Sequence, residues 1–186
     1  DGRWLACTSE PDRVWAVDLT DPTHPIALGR QSAVERVAIS PNAEWVASGS
    51  WNDDSGLNVW RVKTRTLEKR IPMRGVDLAS SPDGRWLAVT GTLTNGTREL
   101  QIWDMRSWTA KYVSQQPDTL FAPAFSPDGR LVAFVTERRQ IQLHETDSFR
   151  HLATLEAPVP ANLGWLRFSP DGKQLAALER MHGIQL

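Results

Sequence analysis

The chain has 186 residues, 40 % of them hydrophobic and 23 % charged, which is enough for a substantial core and too apolar for a disordered polypeptide. Its formal net charge of -1, from 21 basic and 22 acidic side chains, gives no electrostatic drive toward nucleic acid or an anionic membrane. No apolar run approaches the roughly 18 residues a membrane helix needs, and the single Cys7 rules out an internal disulfide, which suits a reducing, cytoplasmic setting.

Asp1-Gly2 opens the chain as the end of a four-residue stretch that recurs as Ser40-Pro41-Asn42-Ala43 and as Ser-Pro-Asp-Gly at 81–84, 126–129 and 169–172. The copies start 41, 45 and 43 residues apart, so one unit of about 43 residues is repeated, a period that belongs to β-repeat architectures. Within the stretch Pro presets a turn φ, Asp or Asn bonds the local backbone, and Gly takes the left-handed conformation. Only Ala43 breaks that chemistry.

After each turn a strand is predicted: Trp4-Leu5-Ala6-Cys7, Trp45-Val46-Ala47-Ser48, Trp86-Leu87-Ala88-Val89, Leu131-Val132-Ala133-Phe134 and Gln174-Leu175-Ala176-Ala177. The third slot is always Ala and its neighbours are mostly larger and apolar, so both faces are expected to be buried. Strands are also predicted before the turns, over 34–40, 75–80, 121–126 and 165–169. Third strands end at Val17-Asp18, Trp60-Arg61, Trp103-Asp104, His144-Glu145 and Leu186, and fourth strands cover 26–28, 67–71, 111–113 and 151–155. Four short strands per unit without helical periodicity predict an all-β chain of β-propeller blades, each of four antiparallel strands. The boundaries are a partial blade over 1–31, blades over 34–72, 75–114 and 119–157, and a partial blade over 161–186, eighteen strands or about four and a half blades. One partial blade lacks its innermost strand and the other its outermost, so they do not complete each other and the expectation is an open fragment of a larger propeller.

The unit resembles the WD-repeat (WD40) β-propeller family in Phe125-Ser126-Pro127-Asp128-Gly129-Arg130-Leu131-Val132-Ala133 and in Leu100-Gln101-Ile102-Trp103-Asp104. Trp60 and Trp103 stand in the family's Trp slot and Asp18 and Asp104 in its Asp slot, whereas Val17, Arg61, His144 and Glu145 depart from it. No copy has the family's Gly-His pair, which puts its buried Asp-His-Ser/Thr-Trp network in doubt. The resemblance implies seven blades, a bacterial-type repeat, and a non-enzymatic scaffold or sensory propeller of a multidomain signalling protein. The rival is an accessory propeller that gates substrate for a hydrolase or peptidase, because 124–134 also looks like the TolB-type repeat.

Spacing locates the expected contact surface. The repeated Ala and the Trp slot lie 11 residues apart from Ala6 to Val17 and from Ala133 to His144, but 13 from Ala47 to Trp60 and 15 from Ala88 to Trp103. Insertions over 50–56 and 91–99 therefore fall on one rim, the upper one, a common mark of a binding surface. The residues expected to touch a protein or peptide there are Trp51, Asn52, Asp53, Asp54, Leu93, Asn95 and Arg98, with Arg74, Arg138 and Arg139 as neighbours. Trp51 leads, because an aromatic side chain anchors an interface at low entropy cost. Asn52, Asp54 and Gly56 alternate like calcium ligands over too short a stretch, so an Asx turn is the reading. Trp4, Trp45 and Trp86 share one slot and Trp60 and Trp103 another, which marks packing. Cys7 aligns with small and apolar residues, the four His lack metal or triad spacing, and each repeated Ser belongs to its turn. No catalytic residue, cofactor or metal is expected.

Overall fold

The computed structural model describes residues 2–9, 12–51, 55–114, 120–136, 138–156, 163–179 and 183–185. Among these described residues eighteen strands form five meandering antiparallel sheets. The first sheet holds β1 (Trp4–Ser9), β2 (Arg13–Asp18) and β3 (Ile26–Arg30). Three four-stranded sheets follow: β4 (Val34–Ile39) to β5 (Trp45–Ser50), β6 (Leu57–Arg61) and β7 (Thr66–Ile71); β8 (Met73–Ser80) to β9 (Trp86–Leu93), β10 (Arg98–Asp104) and β11 (Thr109–Ser114); and β12 (Leu120–Phe125) to β13 (Leu131–Thr136), β14 (Gln140–Glu145) and β15 (His151–Glu156). The last sheet holds β16 (Leu163–Phe168), β17 (Leu175–Glu179) and β18 (Gly183–Gln185). Four-stranded antiparallel blades are the all-β architecture that the repeat predicts.

Hydrogen bonds inside each turn explain its recurrence. The Ser81, Ser126 and Ser169 hydroxyls donate to Asp83, Asp128 and Asp171 at 2.5, 2.6 and 2.6 Å, and each accepts the backbone N–H that opens the next strand at 2.9 Å. The same carboxylates accept from the Arg85, Arg130 and Lys173 N–H groups at 3.0–3.1 Å. The serine hydroxyl, then the backbone N–H, holds Asp128 and Asp171 below the usual carboxylate range. At the variant turn Asn42 still accepts the Glu44 N–H at 3.2 Å and the Ser40 hydroxyl still accepts the Trp45 N–H at 3.1 Å, and its contact with the Trp45 carbonyl at 3.4 Å matches those of Ser126 and Ser169 with Leu131 and Gln174.

One WD-motif departure, Arg61, is compensated by an exchange of charges across the pair that the other copies form with Asp18 and Asp104. Asp18 pairs with Arg3 and Asp104 with Arg85, each Arg lying beside its own turn, and both guanidinium groups cover a Trp ring. Arg61 stands in the Asp slot of the second sheet, and its partner is Glu44, which stands in the Arg slot. The charges are exchanged and the pair is kept. The Arg3 guanidinium, bonded to Asp18, is the main cause holding that carboxyl below its usual range.

The chain divides into two compact units, residues 1–78 with 91–97, and 79–90 with 98–186, the division running through the third sheet. In the first unit Val14, Ala16, Leu28, Val46, Trp60 and Val62 form a core of facing sheet surfaces. Gly29 is required there because a Cβ would lie 2.2 Å from the Trp60 ring. In the second unit Trp86, Ala88, Leu100, Ile102, Val132 and Phe134 form one cluster, and Ala124, Ala133, Val135, Leu166 and Ala177 contribute to another. Ala47, Ala88 and Ala133 have no exposed surface, so the repeated Ala is the small residue that lets sheets approach. Ala6 and Ala176 in the three-stranded sheets are only half-buried, and so is Cys7, which is less enclosed than its sequence slot implies.

Candidate functional site

The two ends of the blades differ in chemistry. One carries the Ser-Pro-Asp-Gly turns, whose serine hydroxyls, glycine N–H groups and one oxygen of each aspartate are bonded within the turn. The other carries the connections between second and third strands and those leading into the next sheet. Where the second–third spacing is short, the turn closes on a left-handed residue, Asp12 (φ 64°) or Arg139 (φ 63°). The two longer connections close on Gly56 and Gly96.

In the first unit the longer connection is fastened by main chain. The Trp51 N–H donates to the Ala33 carbonyl at 3.1 Å, and the Gly75 N–H donates to the Trp51 carbonyl at 2.9 Å, so residue 51 clasps the segment leading into β4 and the first residues of β8 itself. The Trp51 side chain is half-buried and Arg74 is exposed. That backbone bond brings these two predicted residues side by side.

Beneath the clasp lies a buried polar chain. The Trp60 indole N–H donates to the Ser48 hydroxyl at 2.8 Å, and Ser48 donates in turn to Gln31 Oε1. The Gln31 amide nitrogen donates to the Gly56 carbonyl at 2.8 Å and the Ser50 hydroxyl at 3.1 Å, and Ser50 donates to the Ser32 carbonyl at 2.6 Å. A Trp–Ser–Gln chain thus forms without a Gly-His pair, Gln31 supplying both acceptor and donor. In the third sheet Val89 replaces Ser48, and the Trp103 indole donates instead to Gln101 at 2.9 Å, while Gln101 donates to Glu99 at 2.7 Å. In the fourth sheet His144 fills the Trp slot, contacting Gln142 at 3.3 Å and the Phe149 carbonyl at 3.2 Å. Burial, the leading cause, pushes the His144 imidazole below its usual pKa.

An open recess of about 330 Å³ adjoins this chain, lined by Asp12, Arg30, Gln31, Ser32, Ser55, Asn58 and Arg70. The Ser32 and Ser55 hydroxyls meet at 2.7 Å. Asn58 is 5 % exposed, and its Oδ1 has no hydrogen-bond partner. A neighbouring recess of about 250 Å³ shares Asp12 and Gln31 and adds Thr8, Ser9, Ala33 and Val34.

Of the residues expected from sequence, Asn52, Asp53 and Asp54 lie outside the described residues. The insertion over 91–99 is mostly not a loop: β9 runs on to Leu93 and β10 begins at Arg98. Extra length has become extra strand, closed by Leu93 N–H to Thr97 O at 2.8 Å, Gly96 N–H to Leu93 O at 2.9 Å and Asn95 Oδ1 from the Thr97 N–H at 2.9 Å. Asn95 and Arg98 are exposed and Leu93 half-buried. Arg138 and Arg139 are exposed in the short β13–β14 turn of the second unit, where the Arg139 N–H donates to Thr136 O. Sequence reasoning missed Asp12, Arg30, Gln31, Ser32, Asn58 and Arg70. The available signal was Asn58 itself, a polar residue two before the Trp slot, a position that Gln101 and Gln142 fill in the next two copies. Among the described residues no group of three or more His, Cys, Asp or Glu is placed to hold a metal ion, and no helix is long and apolar enough to cross a membrane.

Comparison with known proteins follows this geometry. Residues 21–61, from the turn after β2 to the end of β6, match the family "WD domain, G-beta repeat". The chain is 26 % identical over 162 residues to a "Protein LST8 homolog" of Drosophila melanogaster, covering 80 % of this chain and 50 % of that protein. It is 30 % identical over 112 residues to "WD repeat-containing protein SL1-17" of Schistosoma mansoni, covering 59 % of this chain and 35 % of the relative. The chain therefore spans half or less of these curated relatives, and both come from animals, which lends no support to a bacterial-type repeat. Among solved structures it is similar to "Kuenenia stuttgartiensis Hydrazine Synthase", with TM-score 0.75 and 18 % identity over 97 % of this chain and 59 % of the other, a likeness of fold alone. With its repeated turns, four-stranded blades and Trp60 chain, the protein is a WD-repeat protein whose described sheets are β-propeller blades.

Proposed function

We propose that the chain is a non-enzymatic interaction scaffold that presents the rim around Trp51 to a protein or peptide, in a cytoplasmic signalling or sensory role. One observation carries this reading: the Ser-Pro-Asp-Gly turns spend their serine hydroxyls and one oxygen of each aspartate on their own backbone, whereas the opposite end of the first unit carries the half-buried Trp51, the exposed Arg74 and an open polar recess. A half-buried aromatic beside an open polar recess combines the anchor and the polar surround that interfaces use. The WD-repeat relatives point the same way.

The test is affinity capture on the chain and its Trp51→Ala variant. Truncating an interfacial anchor costs about 2 kcal/mol or more, so recovery of a bound partner should fall more than tenfold while the circular dichroism spectrum and unfolding midpoint stay near wild type. Equal recovery by a folded variant refutes a contact role for Trp51.

A further inference from the structure

The β9–β10 turn folds an amide side chain against the main-chain nitrogen that follows it. Asn95 stands exposed at the tip of the hairpin, with Gly96 next in sequence. The Gly96 N–H donates to the Leu93 carbonyl at 2.9 Å, and Asn95 Oδ1 accepts the Thr97 N–H at 2.9 Å. This second bond makes an Asx turn, which bends the side chain back along its own backbone. Asn95 Cγ is thereby held over the Gly96 peptide, and the Thr97 N–H polarises the amide carbonyl as a donor aimed at a developing oxyanion does.

The residue after the amide sets this turn apart from a second one of the same form. Asn42 is also exposed, its Oδ1 accepts the Glu44 N–H at 3.2 Å, and the Ala43 N–H donates to the Ser40 carbonyl at 2.8 Å, just as Gly96 bonds Leu93. Both following residues are left-handed, Ala43 at φ 50° and Gly96 at φ 85°. Ala43, however, carries a side chain packed to 7 % exposure, which crowds its nitrogen and fixes its position. Gly96 carries none, and the space a Cβ would occupy has no atom within 4 Å. Asn58 is enclosed within β6, 5 % exposed and followed by the buried Val59.

We propose that Asn95 is a site of spontaneous deamidation, a modification that consumes water alone. The Gly96 N–H leaves the Leu93 carbonyl in a local opening, which costs little at an exposed hairpin tip, and gives its proton to hydroxide. The nitrogen then bonds to Asn95 Cγ, the Cγ–Nδ2 bond breaks, and Nδ2 leaves as ammonia after taking a proton from water. Water opens the resulting five-membered imide at either carbonyl, leaving aspartate or isoaspartate at position 95. The net reaction is amide plus water to carboxylate plus ammonium. This modification goes beyond the scaffold reading and does not depend on it. It places a new negative charge on the rim, and the isoaspartate product adds a methylene group to the main chain inside a closed turn, so the surface changes irreversibly with age.

The experiment is peptide-mapping mass spectrometry of the full chain, incubated in neutral and in mildly alkaline buffer and sampled over weeks, with enzymatic methylation of isoaspartate as a second readout. Loss of amide at Asn95 should outpace that at Asn42 and Asn58 by about tenfold or more, which is about 1.4 kcal/mol of barrier. It should quicken with pH, because the attacking nitrogen must lose its proton, and it should yield isoaspartate as well as aspartate. Gly96→Ala should slow it about tenfold. Ala43→Gly should accelerate loss at Asn42 by about the same factor, a gain that does not depend on whether Gly96→Ala keeps its turn. Asn95 no faster than Asn42, aspartate without isoaspartate, an unchanged rate in Gly96→Ala with the turn intact, or no gain at Asn42 in Ala43→Gly would each overturn the assignment.

Discussion

Ala43 holds φ at 50°, in the left-handed region where Gly84, Gly129 and Gly172 sit at 70–71° in the equivalent place. A side chain there costs about 1 kcal/mol. Ala43→Gly is therefore expected to raise the unfolding free energy by up to about 1 kcal/mol, offset in part by the entropy of the added glycine. Gly129→Ala should lower it by about 1 kcal/mol, because the new methyl would meet nothing nearer than Pro82 Cδ at 3.8 Å and the cost is conformational. Urea unfolding midpoints measure both, and shifts of the same sign would contradict the shared turn geometry. The turn was fully legible in sequence, since its partners lie within five residues. The exchange of Glu44 and Arg61 was not, because the two are 17 residues apart and each alone reads only as a departure from the motif.

At the scale of elements, the Trp60–Ser48–Gln31 chain ties β6 and β5 to the connection before β4. Ser48→Ala removes an acceptor from the Trp60 indole and a donor from Gln31 Oε1, leaving both buried and unpaired. The expected loss is about 2–4 kcal/mol in unfolding free energy, from roughly 1–3 kcal/mol per stranded group. A loss below about 0.5 kcal/mol, typical of a neutral surface change, would mean that the chain does not hold the blade. The Trp slot was visible as a repeat. Gln31 was not, because it lies in an unrepeated connection and its partners are set by the pairing of distant strands. The 91–99 insertion shows a related limit: spacing counts residues but does not separate a longer loop from longer strands, and Thr92 and Leu93 have the β propensity to extend the ladder.

For the whole molecule, the fold follows from a strong local signal repeated at a constant period, so errors in one copy are corrected by the others. The rim site has no such redundancy. The recess draws Asp12, Arg30–Ser32, Ser55, Asn58 and Arg70 from several separate segments, and its chemistry exists only after β1–β2, β3 and β5–β7 have formed. Trp51 stands out in the sequence because it sits in an anomalous spacing, and in the fold its main chain bonds to Ala33 and Gly75. The central claim is that partners meet the end of the blades opposite the Ser-Pro-Asp-Gly turns. Site-specific photo-crosslinking tests it most directly, with a benzophenone side chain introduced singly at Ser55 or Arg74 on that end, and at Arg130 or Lys173 beside the turns. Crosslinked partner confined to positions 55 and 74 is the expected result; equal or stronger crosslinking from 130 and 173 would contradict the account.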